Sequence, residues 1–219
     1  MLRAIPFALW MACFCGNAHA DPRCAVFLGN SMTIHYPEPA IGWSGHWGMA
    51  ASTLDHDYVS VATSMMRARG ADASAVRANL SGFEQGRSLD ELPDALPQRT
   101  CVLSALVIFV GDNARPGKEG ARQIHALVSA LSQWGRARHA GALVVAGTWW
   151  GRADVEHELQ AAARESGAVF VAMHDLQRED GNVAGHERSI SDDGVAAHPG
   201  DLGMQRIAKR IVAVLEKQP

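Results

Sequence analysis

The chain has 219 residues, 47% of them hydrophobic and 20% charged, with a formal net charge of −3. That length suits one domain with a substantial core. With no Lys/Arg block to form a polyanion footprint, the charge argues against nucleic acid as a partner.

The first twenty residues read as a secretory signal. Arg3 supplies the positive start, residues 5–14 are an apolar core too short to span a bilayer, and Ala18-His19-Ala20 is a cleavage site. A lipoprotein reading built on Cys15 is weak, because bulky Phe14 precedes it where a small residue is expected. Cleavage after Ala20 would leave a single domain, residues 21–219, in the periplasm or outside the cell. No later segment is long and apolar enough for a transmembrane helix, so no integral membrane span is expected. Cys13 and Cys15 leave with the signal. Cys24 and Cys101 remain, and an even pair in an exported protein points to one disulfide. The alternative is two buried free thiols.

Downstream, apolar runs alternate with longer amphipathic stretches. Residues 25–28, 106–110, 143–146 and 169–173 read as buried parallel strands, since both faces of such strands are covered. Residues 74–80 form a weaker strand, expected nearer an edge. Residues 47–69, 120–138, 153–166 and 202–217 have helical spacing. The alternation predicts one doubly wound α/β domain. Two loops, 32–46 and 177–199, are long for such a fold, and long loops in compact domains are often functional.

The chemistry-bearing residues sit at the ends of these runs. Ser31, in Gly29-Asn30-Ser31, follows the first strand, where an open α/β sheet binds ligands. Gly29 would let the backbone turn and leave room for a substrate. A serine hydroxyl needs an adjacent base, and His198, just before the last helix, is the best placed. Asp201 would cap that helix. Asn113 follows the 106–110 strand and would donate its amide to an oxyanion. The N–H groups of Gly82 and Ser31 would be further donors. The ordinary alternatives are a loop serine, a surface histidine and a turn glycine. The three-loop combination of Ser31, Asn113 and His198 favours an acyl-transfer site. Trp43 and Trp47 follow the first strand and Trp149 and Trp150 the fourth, near the same edge; Trp43 and Trp149 are the expected substrate contacts. Their indoles would pack on sugar rings, or else be partly buried loop aromatics. The segment 42–46 fails as a nucleophile elbow, since His46 stands where glycine is needed. The histidines are scattered without ligand spacing, so neither metal nor cofactor is expected.

In this order of motifs the chain resembles the SGNH/GDSL-family hydrolases. Ser31 matches the first block, Gly82 the second, Asn113 the third and His198 the last. The likeness covers nearly all of residues 21–219. It implies a flavodoxin-like parallel sheet flanked by helices, and an exported serine esterase acting on acyl esters, acetyl esters above all. The implied substrate is a small-molecule or polysaccharide ester. The same site would serve an O-acyltransferase acting on exopolysaccharide. A non-catalytic carbohydrate-binding protein on a decayed hydrolase fold is the alternative from another class. In the implied strand order the first and third strands are neighbours, so Cys24 and Cys101 would staple their starts, opposite Ser31.

Three departures from the family pattern stand out. Asn30 takes the usual aspartate position. Ala114 follows Asn113 where an aspartate is common. Val195 stands where the family's acid precedes the histidine by three residues. Asp193 is therefore expected to orient His198, if Gly194 lets the loop fold back. The main-chain carbonyl of Val195 is the alternative, and Asp192 lies one residue further away.

Overall fold

A computed structural model describes residues 22–71, 74–98 and 101–218. The signal segment expected over residues 1–20 lies outside the described residues. Strand β1 (Arg23–Gly29) leads through 3-10 turns at Pro39–Ile41 and Leu54–His56 to helix α1 (Tyr58–Ala68). Then come β2 (Ser74–Asn79), the one-turn helix α2 (Ser81–Glu84), α3 (Leu92–Ala95) and β3 (Val102–Phe109). The second half runs α4 (Gly117–Ala137), β4 (Ala142–Ala146), α5 (Ala153–Ser166) and β5 (Val169–Val171). Short helices α6 (His174–Gln177), α7 (Ala184–Glu187) and α8 (Asp193–Ala196) precede the final α9 (Asp201–Leu215).

The five strands are parallel, in the order β2-β1-β3-β4-β5. This is the doubly wound, flavodoxin-like sheet expected, with β2 at an edge. Side chains alternate across a strand, and the core divides accordingly. Val26, Leu28, Leu106 and Ile108 pack with Ile124 and Leu127 of α4 and Leu159 of α5. Phe27, Val107 and Phe109 point the other way, onto Tyr58 of α1 and Ile207 and Ile211 of α9. Burying both faces explains why these strands read as unbroken apolar runs.

Cys24 and Cys101 are joined, across 77 positions of sequence. Cys24 pairs in register with Leu103 of β3. The bridge thus holds the starts of adjacent strands, at the end of the sheet away from Ser31.

The helix expected over 47–69 begins only at Tyr58. Asp57 is its cap, accepting from the Ser60 N–H (2.7 Å), while its other oxygen accepts from the Gly48 N–H (3.2 Å) and pairs with Arg77 of β2. Residues 47–53 instead pack as irregular backbone ahead of the 3-10 turn, with Ala50 at φ 70° and Met49 and Ala50 buried. Helical apolar spacing there reflects burial rather than helix. Asp201 does not cap α9 either. The carboxylate of Glu187 accepts from the N–H groups of Asp201 and Leu202 (2.8 Å each), and Asp201 binds the N–H and hydroxyl of Ser52.

Candidate active site

The strand register brings the candidate residues to one edge. Gly29, the last residue of β1, lies level with Asn79 of β2 on one side and Phe109 of β3 on the other. Ser31, Gly82 and Asn113 follow these three strand ends by two, three and four residues. The edge between β1 and β3 is the topological switch point, where doubly wound sheets bind ligands. Gly29 is required by packing and not by substrate space: a Cβ there would run into Thr33 Oγ1 and the Phe109 carbonyl.

Ser31 sits in a tight turn closed by Thr33 N–H and Ile34 N–H donating to the Asn30 carbonyl (3.0 and 3.1 Å). Its own carbonyl accepts from Met49 N–H (2.8 Å), which fixes the turn against the following loop. The hydroxyl Oγ lies 2.9 Å from His198 Nε2. The other ring nitrogen, Nδ1, lies 2.7 Å from the Gly194 carbonyl. A carbonyl only accepts, so Nδ1 carries the proton and Nε2 is left to accept from Ser31. His198 is 8% exposed. Burial holds its pKa below the ordinary value, against the opposing effect of the Gly194 hydrogen bond.

Asp193, the expected orienting acid, is not at the ring. It is the exposed first residue of α8, and its carboxylate makes no hydrogen bond or ion pair among the described residues. Asp192 caps α8 instead, accepting from the Val195 N–H (2.8 Å). That turn aims the Gly194 carbonyl at Nδ1, while the Val195 carbonyl accepts from the His198 N–H (3.1 Å). The orienting group is thus a main-chain carbonyl, one residue earlier than the family's acid position.

Gly82 lies in α2, exposed, with an N–H that makes no hydrogen bond among the described residues. A Cβ there would meet only Arg87 Cδ, at 3.8 Å, so packing does not demand glycine. The Ser31 N–H is similarly unused. Asn113 is half-buried, and its main-chain N–H donates to Glu84 Oε2 (2.8 Å).

Glu84 belongs to a polar cluster that sequence reasoning missed. It is fully buried; its Oε1 accepts from the Gly111 N–H (3.0 Å) and from Asn30 Nδ2 (3.3 Å). Asn30 Nδ2 also faces Asp112 Oδ2 (3.5 Å), and Asn30 Oδ1 accepts from Met32 N–H (3.1 Å). Asp112 Oδ1 accepts from the N–H groups of Trp149 (2.8 Å) and Trp150 (3.3 Å). Burial first, and then the charge of Glu84, push the Asp112 carboxyl up to about 8, and burial also raises Glu84.

The tryptophans divide differently from the expectation. Trp149 is fully buried, with its indole N–H donating to the Ala197 carbonyl (3.1 Å). It braces the loop before His198 and presents no face to a ligand. Its neighbour Trp150 is 38% exposed and stands edge-on to the His198 ring, 5.2 Å between centroids. Trp43 is buried against Trp47 (5.6 Å, T-shaped). It lines a separate cavity of about 290 Å³ together with Ser44, Ser52, Arg188 and Ser191, and neither Ser31 nor His198 reaches that cavity.

Protein-family models and curated protein sequences yield no match to this chain. Solved structures do. A psychrotrophic esterase from Pseudoalteromonas sp. matches with a TM-score of 0.56 at 16% identity, over 90% of this chain and 98% of its own. A lipase/acylhydrolase from Enterococcus faecalis gives 0.58 at 11% identity, over 90% and 97%. A two-domain esterase active on acetylated mannans gives 0.57 at 17% identity, over 89% of this chain but 49% of that one. The chain has the fold of the GDSL/SGNH esterases.

Proposed function

We propose that this chain is an exported serine esterase that hydrolyses acyl esters, with acetyl esters of carbohydrates as the substrate class. The observation that carries the reading is the 2.9 Å contact between Ser31 Oγ and His198 Nε2, with Nδ1 held by Gly194 at 2.7 Å. Export is supported by the sequence of residues 1–20 and by the Cys24–Cys101 bridge. Among the described residues no helix is long and apolar enough to cross a membrane.

In this mechanism Ser31 Oγ attacks the ester carbonyl while His198 Nε2 takes its proton. The imidazolium keeps its Nδ1–H on the Gly194 carbonyl. The tetrahedral oxyanion is held by the N–H groups of Ser31 and Gly82 and by the side-chain amide of Asn113. A glycine where packing does not require one supports the role given to Gly82. His198 then protonates the departing alcohol, and water, activated by the same nitrogen, releases the acyl group. Trp150, beside His198 and half open to solvent, is better placed than Trp43 or Trp149 to meet a sugar ring.

Among the structural neighbours, one is active on acetylated mannans and another is a carbohydrate esterase from Clostridium thermocellum in complex with cellohexaose. The acetylated mannans of the first and the bound oligosaccharide of the second agree with the class proposed here. A decayed, non-catalytic site would draw on the missing acid at 195, but the Gly194 carbonyl supplies the orienting contact. The test is hydrolysis of p-nitrophenyl acetate by the wild type and by Ser31→Ala. Turnover that survives Ser31→Ala overturns the reading. Turnover lost with folding intact supports it, and a panel of acetylated oligosaccharides then identifies the ester.

A further inference from the structure

Three chain segments have to be held together for an oxyanion to be bound: the turn of Ser31, the α2 turn of Gly82 and the loop of Asn113. One side chain touches all three. Glu84 lies on α2 itself, two residues after Gly82. Its Oε1 accepts from Asn30 Nδ2, next to Ser31, and from the Gly111 N–H, and its Oε2 accepts from the Asn113 N–H. A carboxylate with no solvent exposure carries a desolvation penalty that only hydrogen bonds to its lone pairs offset. Here they are filled by donors from both neighbouring segments of the site.

We propose that Glu84 is a positioning residue that fixes the oxyanion donors relative to Ser31, and that Asn30 is an amide because only an amide donates to both Glu84 and Asp112. The inference rests on the esterase reading. An aspartate at 30 would be a third carboxyl against Glu84 (3.3 Å) and Asp112 (3.5 Å), with no amide N–H to offer either of them. A glutamine at 84 keeps the shape but has one acceptor oxygen. Its amide nitrogen then faces either the Asn113 N–H or the pair from Gly111 and Asn30, donor against donor.

The experiment is a mutant cycle on p-nitrophenyl acetate hydrolysis. Removing one oxyanion donor outright costs about 10²–10³ in kcat. Glu84→Gln displaces such donors, so it should lower kcat about tenfold or more, with KM little changed because the loss falls on the transition state. Affinity for phenylboronic acid, which forms a tetrahedral adduct with serine, should fall in parallel with kcat/KM. Asn30→Asp should also lower kcat. In the Asn30→Asp/Glu84→Gln double variant the amide introduced at position 84 can donate to the carboxylate introduced at position 30, so the double loss should be smaller than the product of the single losses. Glu84→Asp keeps both acceptors but withdraws them by one methylene. It reads the same effect if Glu84→Gln does not fold. A core variant such as Leu127→Ala, matched in loss of Tm, should leave kcat and boronate affinity unchanged. Wild-type kcat in folded Glu84→Gln or Glu84→Asp, or single losses that simply multiply, overturns the proposal. If Ser31→Ala is inactive in the same assay, that failure belongs to Glu84 alone; if Ser31→Ala is active, the esterase reading itself has failed.

Discussion

Replacing Asp193 by alanine separates a charged triad from a serine–histidine pair held by a carbonyl. Losing a triad acid costs about 10⁴ in kcat, close to 5.5 kcal/mol. The Asp193 carboxylate is exposed and makes no hydrogen bond or ion pair with His198 or any other described residue. Surface substitutions of that kind stay within about 0.5 kcal/mol, so Asp193→Ala should change kcat by no more than about twofold. Asp192 acts differently. Its Oδ1 caps α8 through the Val195 N–H at 2.8 Å, and α8 carries the Gly194 carbonyl that holds Nδ1. An N-cap contributes about 1 kcal/mol, which corresponds to about a fivefold loss of the correctly formed turn. Asp192→Ala should therefore lower kcat about fivefold, whereas Asp192→Asn, which still caps, should stay near wild type. The assay is steady-state hydrolysis of p-nitrophenyl acetate, normalised to the fraction of Ser31 labelled by a phosphonate. A loss of 10³ or more in Asp193→Ala would refute the carbonyl assignment. Equal losses in Asp192→Asn and Asp192→Ala would mean that the charge acts and the cap does not.

Two further outcomes are expected. Burial lowers the His198 pKa, and only neutral His198 accepts a proton. The acid limb of kcat/KM should therefore fall through a pKa below the ordinary histidine value of about 6.5, and a pH–rate profile with its limb at or above that value contradicts the buried ring. Removing the Cys24–Cys101 bridge, which closes a separation of 77 positions, should cost about 4.5 kcal/mol in the chain-entropy model. The double serine variant should keep kcat, because the length of strand β1, roughly 17 Å, separates Cys24 from the turn that holds Ser31. Denaturant unfolding measures the first effect and ester turnover the second.

What can be read from the sequence follows from what physics writes locally. Both-face burial produces unbroken apolar runs, so the strands and their order are legible, and the helical spacing over 153–166 matches the observed limits of α5, Ala153–Ser166. The stretch 47–57 misleads because a loop packed under the site buries apolar residues at spacings a helix would also use. Here Asp57, tied to Gly48 and to Arg77, sets the true helix start. Ser31, Gly82 and Asn113 stand out at strand ends because the switch point is fixed by topology, and His198 stands out just before the last helix. The Gly194 carbonyl has no such signature, since every residue carries one. Trp149 and Trp150 are indistinguishable as letters. Which indole turns inward is decided by Asp112 and Ala197, residues distant in sequence.

The three departures from the family pattern are best understood together, through Glu84 and the turn before His198. A glutamate in a one-turn helix reads as surface, yet register places α2 against the Asn113 loop and buries it. With Glu84 enclosed there, a carboxylate at position 30 would meet like charge, and Asn30 supplies donors instead. The acid of the third block precedes Asn113, as Asp112, where it grips the N–H groups of Trp149 and Trp150 and so sets the indole beside His198. Ala114, at the place where the family's aspartate is common, is buried and carries no side-chain polarity to satisfy. Val195 is likewise buried, in the apolar cluster with Trp43 and Met49. The orienting contact is made instead by the backbone of Gly194. The same chain that moves its acids beneath the site thus leaves the ring nitrogen of His198 to a neutral acceptor. In the proposed mechanism the general base works without a buried anion behind it, which is why the Asp192 and Asp193 variants are the sharpest probe of that mechanism.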